Sequence, residues 1–179
     1  MPALVIAVLG AESTGKTTLA RTLAERLAQD TGLRSTWVDE WLRNWCDQHG
    51  RTPQVHEQAA IAAEQQARID AACQAHDIVV ADTTAIMTAI YSGLLFGDRS
   101  LDAQALAWQR DMSITLVTAL DLPWVADGLQ RDGAHVRAPV DDQLQALLTQ
   151  GGIAFHRIAG SGPARLSAAL AAVQAARLS

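Results

Sequence analysis

Gly10-Ala11-Glu12-Ser13-Thr14-Gly15-Lys16-Thr17 fits G-x-x-x-x-G-K-[ST], the loop whose backbone N–H groups cradle phosphates. Lys16 is the only lysine in 179 residues, although the chain holds fourteen basic side chains. The other thirteen are arginines, so lysine stands where its chemistry is hard to replace. An ammonium is a compact point charge on a flexible stem, able to fold over a loop and touch β- and γ-phosphate oxygens. A planar guanidinium fits that nest poorly. Upstream, Ala3 to Leu9 is an unbroken apolar run of the kind expected of a buried parallel strand. Downstream, Thr17 to Asp30 carries Leu19, Leu23 and Leu27 four apart, an amphipathic helix. Strand, glycine loop and helix are what this motif requires, and together they imply a nucleoside triphosphate site.

Outward from that unit, strands and helices alternate. Arg34 to Glu40 reads as a second strand ending in two carboxylates, followed by a helix through Trp41, Leu42 and Trp45. Pro53 is placed to open a helix running to about Ala75. Asp77 to Asp82 is a third strand, and Thr83 or Thr84 can cap the helix carrying Ile86, Ile90 and Leu94. A helix ending near Arg110, a strand over 113–120, a helix over 141–150, a strand over 153–159 and a closing helix over 163–177 complete the series. The expected fold is therefore α/β: a five-stranded parallel sheet in a P-loop kinase-type three-layer sandwich, forming one domain over 1–179. The stretch 121–139, rich in Pro, Gly and charge, reads as a lid over the site.

Ligands in such sheets bind at the carboxyl ends of the strands. There the sequence gathers the phosphate loop, Asp39-Glu40 and Asp82, a set suited to phosphoryl transfer. N–H groups along Gly10, Glu12, Ser13, Thr14, Gly15, Lys16, Thr17 and Thr18 would hold ATP phosphates. Thr17 and Asp82 would hold Mg²⁺. Asp39 or Glu40 would face an acceptor hydroxyl and take its proton; the sequence leaves open which. Arg43, three residues past Glu40, either clamps the acceptor or the phosphoryl group, or forms a surface i, i+3 pair with Glu40. Trp37, Trp41 and Trp45 recur every four residues, as core packing or as a flat wall for an acceptor ring. Arg131 and Arg137 are candidate phosphate contacts on lid closure. The five histidines are scattered and suggest no ligand set.

Bulk properties exclude other classes. A net charge of -5, with the signs interspersed, lacks the electropositive footprint of nucleic-acid binding. No apolar run reaches membrane-spanning length, and the N-terminus lacks signal-peptide features. Two cysteines, Cys46 and Cys73, make no disulfide framework. The cytoplasm is the expected compartment, with a small-molecule nucleoside as partner.

The motifs together resemble the ribosylnicotinamide kinase domain of the NadR family. Gly10 to Leu19 is similar to that family's G-x-E-S-x-G-K-[ST]-[ST]-L, and Glu40-Trp41-Leu42-Arg43 to its E-Y-x-R. Ala81-Asp82-Thr83-Thr84 is similar to its D-T-D, and Pro123-Trp124-Val125-Ala126-Asp127-Gly128-Leu129 to its P-W-V-x-D-G-L-R. The resemblance covers nearly the whole chain. It implies transfer of the ATP γ-phosphoryl group to the ribose 5′-hydroxyl of nicotinamide riboside. On the matching positions, Glu40, Trp41, Arg43, Asp82, Trp124 and Asp127 would bind substrate. Three departures fall near the acceptor and lid: Thr84 replaces the acid after D-T, Trp41 replaces tyrosine, and Gln130 stands at the lid arginine, with Arg131 one place later. Longer family members carry a DNA-binding segment and an adenylyltransferase domain, for which 179 residues leave no room, so a stand-alone kinase is expected. The alternatives are a kinase for another nucleoside or small metabolite, and a regulatory P-loop ATPase.

Overall fold

A computed structural model describes residues 2–125 and 133–177. Five parallel strands form one sheet: β1 (Leu4–Leu9), β2 (Ser35–Val38), β3 (Ile78–Asp82), β4 (Ile114–Thr118) and β5 (His156–Ile158). Their order is β2-β3-β1-β4-β5, so the chain winds to one side of β1 and then crosses to the other. The reversal leaves a crevice at the carboxyl end of β1, where ligands bind in doubly wound sheets. Register sets what meets there: Val8 pairs with Asp82, and Leu9 with Val117. The first loop therefore emerges between the ends of β3 and β4.

Strand side chains alternate between faces, and the core divides accordingly. Ile6, Val8, Ile78, Val80, Ile114 and Leu116 pack with Leu19, Leu23 and Leu27 of α1 (Lys16–Thr31) and with Ala169 and Val173 of α7 (Gly162–Arg177). Ala7, Leu9 and Val117 face the other way, toward Ile86 and Ile90 of α4 (Ala85–Phe96), Ala105 of α5 (Asp102–Arg110), and Val140 and Leu144 of α6 (Arg137–Gln150). Val79 and Ala81 meet Ile69 of α3 (Gln58–Ala75) on that same side. Helices thus cover both faces of the sheet, whose central strands β1, β3 and β4 are apolar and buried, while the edge strands β2 and β5 are partly exposed. Asp82 shares the parity of Ile78 and Val80, so its side chain falls on the α1 side.

Several boundaries differ from the sequence reading. Pro53 does not open a helix. A 3-10 turn at Val55–Glu57 intervenes, where Glu57 accepts from the Gln54 N–H at 2.8 Å and pairs with Arg51 at 2.7 Å. β2 stops at Val38; beyond it the Asp39 carbonyl and the N–H of Trp41, which opens α2 (Trp41–His49), bond to Gln65. Thr84, not Thr83, caps α4, its hydroxyl accepting from the Ile86 N–H. Arg137 and Pro139, read as loop, lie in the first turn of α6, where proline's missing N–H leaves no helical bond unmade. Arg137 is also neither a loop nor a surface arginine: it is buried and donates to the Leu122 carbonyl at 2.9 Å. No helix among the described residues is long and apolar enough to cross a membrane.

Candidate functional site: a phosphate loop facing two carboxylates

The loop leaving β1 is shaped by positions where a side chain will not fit. Gly10 has φ +149°, and a Cβ there would lie 2.1 Å from the Thr118 hydroxyl oxygen at the end of β4. That hydroxyl sits 2.7 Å from the Thr14 hydroxyl, which also donates to the Ala11 carbonyl at 2.7 Å. Ser13 and Gly15 take left-handed conformations, with φ 54° and 76°. Successive amides in such a turn make a concave nest for an anion. Gly15 is the N-cap of α1 and offers no side chain to the first-turn N–H groups; no acidic residue occupies that turn. Donors and the positive helix end are thus left for a bound phosphate. Lys16 folds back over the loop, its Nζ donating to the Ala11 carbonyl at 2.8 Å.

Asp82 reaches the first turn of α1, as its strand parity requires, and accepts from the Thr17 hydroxyl at 2.5 Å. Burial pushes its pKa up; the Thr17 hydrogen bond and the charges of Lys16 and Arg43 oppose this, while Asp39 adds to it. Its second oxygen, Oδ1, is buried with no hydrogen-bond partner among the described residues. A buried lone pair left unmet is costly, and it marks a place for a ligand. Among the described residues no three His, Cys, Asp or Glu side chains converge to hold a metal. Magnesium asks for less, since one or two carboxylates complete its shell with substrate phosphates and water. Thr17 and Asp82 fit that demand. Asp82→Asn is therefore expected to keep the fold and raise the Mg²⁺ concentration needed for half-maximal activity. A magnesium titration identical to that of the unaltered protein would refute the assignment.

The two adjacent acids point apart. Glu40 lines a narrow cavity of about 40 Å³ with Gly10, Glu12, Lys16, Arg43 and Tyr91. Its side chain is 13% exposed, against 46% for Asp39. Asp39 turns to the outside, where it accepts from Asn44 at 2.7 Å and lies 3.8 Å from Arg68 on α3. Arg43 lies 3.8 Å from Glu40 as an i, i+3 pair, with its own side chain half exposed, and it lines the same cavity, so the ion pair and the place beside the acceptor side coexist. Sharing Glu12 and Tyr91 with this cavity is a second one of about 320 Å³, walled by Leu42, Pro53, Leu95 and Phe96, with Thr52 and Gln58 as further polar groups. A charged throat leading to an apolar chamber suits an acceptor with a hydroxyl at one end and a flat ring at the other.

The family comparison agrees with the loop's geometry. AAA_28, described as an AAA domain, matches residues 5–165. The chain belongs to the AAA_28 family. No curated protein matches the sequence. Among solved structures, this AAA_28 chain is similar to NadR in complex with NAD and AMP-PNP, with a TM-score of 0.76 and 20% identity over 99% of the chain. NadR in complex with NR gives a TM-score of 0.70 and 21% identity over 97%. Thymidylate kinase from Ehrlichia chaffeensis gives 0.65 and 18% over 98% of this chain and 99% of its own. The chain spans about half the length of the NadR chains it matches, 50% and 51%. The fold is that of the P-loop kinases.

Other expected site residues of this AAA_28 chain are placed as follows. Trp124 donates from its indole N–H to Glu12 at 3.2 Å, and the Val125 N–H donates to the Ser13 hydroxyl at 2.8 Å, so the segment after β4 rests on the phosphate loop. Asp127, Gln130 and Arg131, within the stretch 126–132 of the expected lid, lie outside the described residues. Trp41 is not among the residues lining either cavity; Arg68 covers its ring at 4.0 Å. Trp45 is buried and stacked on His49, and Trp37 packs on the α1 face, so the tryptophan repeat builds no acceptor wall. Tyr91 and Phe96 supply the aromatic lining instead. Thr84, at the family's missing acid, points into the core and bonds Gln109 at 2.6 Å.

Two site-building residues escaped the sequence reading. Arg165, buried on α7, donates to the carbonyls of Thr14 and Gly160 and to Asp121 at 2.7 Å, tying the phosphate loop to the ends of β4 and β5. Gln65 on α3 bonds the backbone on both sides of Glu40. Neither sits in a motif, and both act across more than twenty residues of sequence. Their local sign is weak: Arg165 is a polar side chain among the buried alanine and valine of α7, and Gln65 is one of three buried glutamines on α3.

Proposed function

We propose that this protein is an ATP-dependent kinase that transfers the γ-phosphoryl group to the ribose 5′-hydroxyl of nicotinamide riboside, giving nicotinamide mononucleotide. The observation that carries the reading is Glu40 and Lys16 lining one cavity beside an apolar chamber. A regulatory ATPase has no use for a carboxylate aimed at an acceptor. In this reading Glu40 accepts the hydroxyl proton as the oxygen attacks the γ-phosphorus, and ADP leaves with the electron pair of the broken P–O bond. Lys16 and the loop N–H groups hold the phosphates in line and offset their charge. Arg43 orients the acceptor side, and Tyr91 and Phe96 flank the ring. Magnesium, held by Thr17 and Asp82, would neutralise charge on the β- and γ-oxygens. NadR, solved with NR and with NAD and AMP-PNP, supports this acceptor.

The test is a panel of acceptors with ATP and Mg²⁺. ATP loss should depend on acceptor, be fastest with nicotinamide riboside, and yield nicotinamide mononucleotide by mass spectrometry. Consumption with other nucleosides and none of that product would sink the choice of acceptor. ATP loss indifferent to acceptor would favour the ATPase.

A further inference from the structure

We infer that Gln65 is a positioning residue: its single amide fixes the backbone on both sides of Glu40 and ties that turn to the one following Asp82. The inference rests on the kinase reading of Glu40. Gln65 lies on α3, is 2% exposed, and lines neither cavity. A primary amide buried that deeply needs partners for its oxygen and its N–H groups. Oε1 accepts from the Trp41 N–H at 2.7 Å, and Nε2 donates to the Asp39 carbonyl at 3.2 Å and lies 3.5 Å from the Thr83 carbonyl. Turned over, the amide would set N–H against N–H and oxygen against two carbonyls, so its neighbours fix its orientation.

Asp39 and Trp41 are the residues on either side of Glu40. Glu40 is the N-cap of α2, a position whose side chain ordinarily bonds the first-turn N–H groups, yet it makes no such bond. Gln65 supplies one from outside, to the Trp41 N–H, and the Glu40 carboxylate is directed to the cavity. Thr83 follows Asp82 and holds φ 71°, a left-handed conformation unfavourable for a β-branched residue. Its N–H donates to the Val8 carbonyl at 3.0 Å, and its carbonyl faces Gln65. The turns that deliver the two carboxylates therefore share one side chain. A reacting group misplaced by about 1 Å loses on the order of 10²-fold in rate, which sets the expected effect of releasing Glu40.

The experiment is a double-mutant cycle on the full chain, reading acceptor-dependent kcat and ATP affinity. Gln65→Leu removes all three contacts at similar volume. Gln65→Glu keeps the acceptor for Trp41 and sets a lone pair against the two carbonyls. Each is expected to lower kcat by about 10²-fold with ATP affinity unchanged. On a Glu40→Gln background the same changes should cost far less, because no base remains to be positioned. Equal losses on both backgrounds would overturn the proposal, as would an undiminished kcat, or loss of the folded circular-dichroism spectrum, in both Gln65 variants. Full turnover by Glu40→Gln alone would instead remove the acceptor role of Glu40, and the positioning role with it.

Discussion

Lys16→Ala is expected to reduce phosphoryl transfer by about 10³-fold or more while leaving the fold intact. The size follows from removing a preorganised positive charge aimed at the transferring group, which typically costs 10²–10³-fold or beyond. The fold should survive because Lys16 bonds the Ala11 carbonyl of its own loop and is not part of the buried cluster between the sheet and α1. No other lysine exists to take its place. The check is ADP release under saturating acceptor, with the thermal unfolding midpoint beside it. Turnover at the unaltered rate would take the phosphate loop out of the mechanism.

Glu40→Gln is expected to lower turnover by about 10²–10⁴-fold, the usual contribution of a positioned base, with little change in ATP affinity. Glutamine keeps the shape and cannot take a proton. Asp39→Asn should be close to neutral, since Asp39 faces Asn44 and Arg68 outside the cavity. Side-by-side single-turnover rates decide the matter. A dead Asp39→Asn with a normal Glu40→Gln would reverse the assignment. If neither change matters, Asp82 becomes the acid to test as the base.

The phosphate loop was legible because eight consecutive residues build it, and no distant partner is needed to define its type. Apolar runs likewise marked the central strands β1, β3 and β4, and a buried parallel sheet is what such runs make; the edge strands β2 and β5 are more polar and were read from the alternation with helices. Asp82 could be placed because it ends one of the apolar runs. The choice between Asp39 and Glu40 was not legible. Adjacent residues point in different directions, and which of the two faces the cavity depends on the turn after β2, which Gln65 holds from another helix. The tryptophan repeat left its own choice open, between core packing and an acceptor wall, for a related reason. Spacing of four places residues on one helix face but does not say whether that face meets a cavity or, as with Trp41 beneath Arg68, another side chain.

The sequence by itself determined the α/β class, the phosphate loop and the strand that carries Asp82, since each is encoded in a short contiguous run. Only the tertiary structure decided that Glu40 and not Asp39 shares a cavity with Lys16, that Tyr91 and Phe96 line the chamber beyond, and that Gln65 and Arg165 brace the loops. The Gln65–Trp41 and Arg165–Thr14 contacts join residues 24 and 151 positions apart. They exist only once the crossovers have stacked α3 and α7 against opposite faces of the sheet.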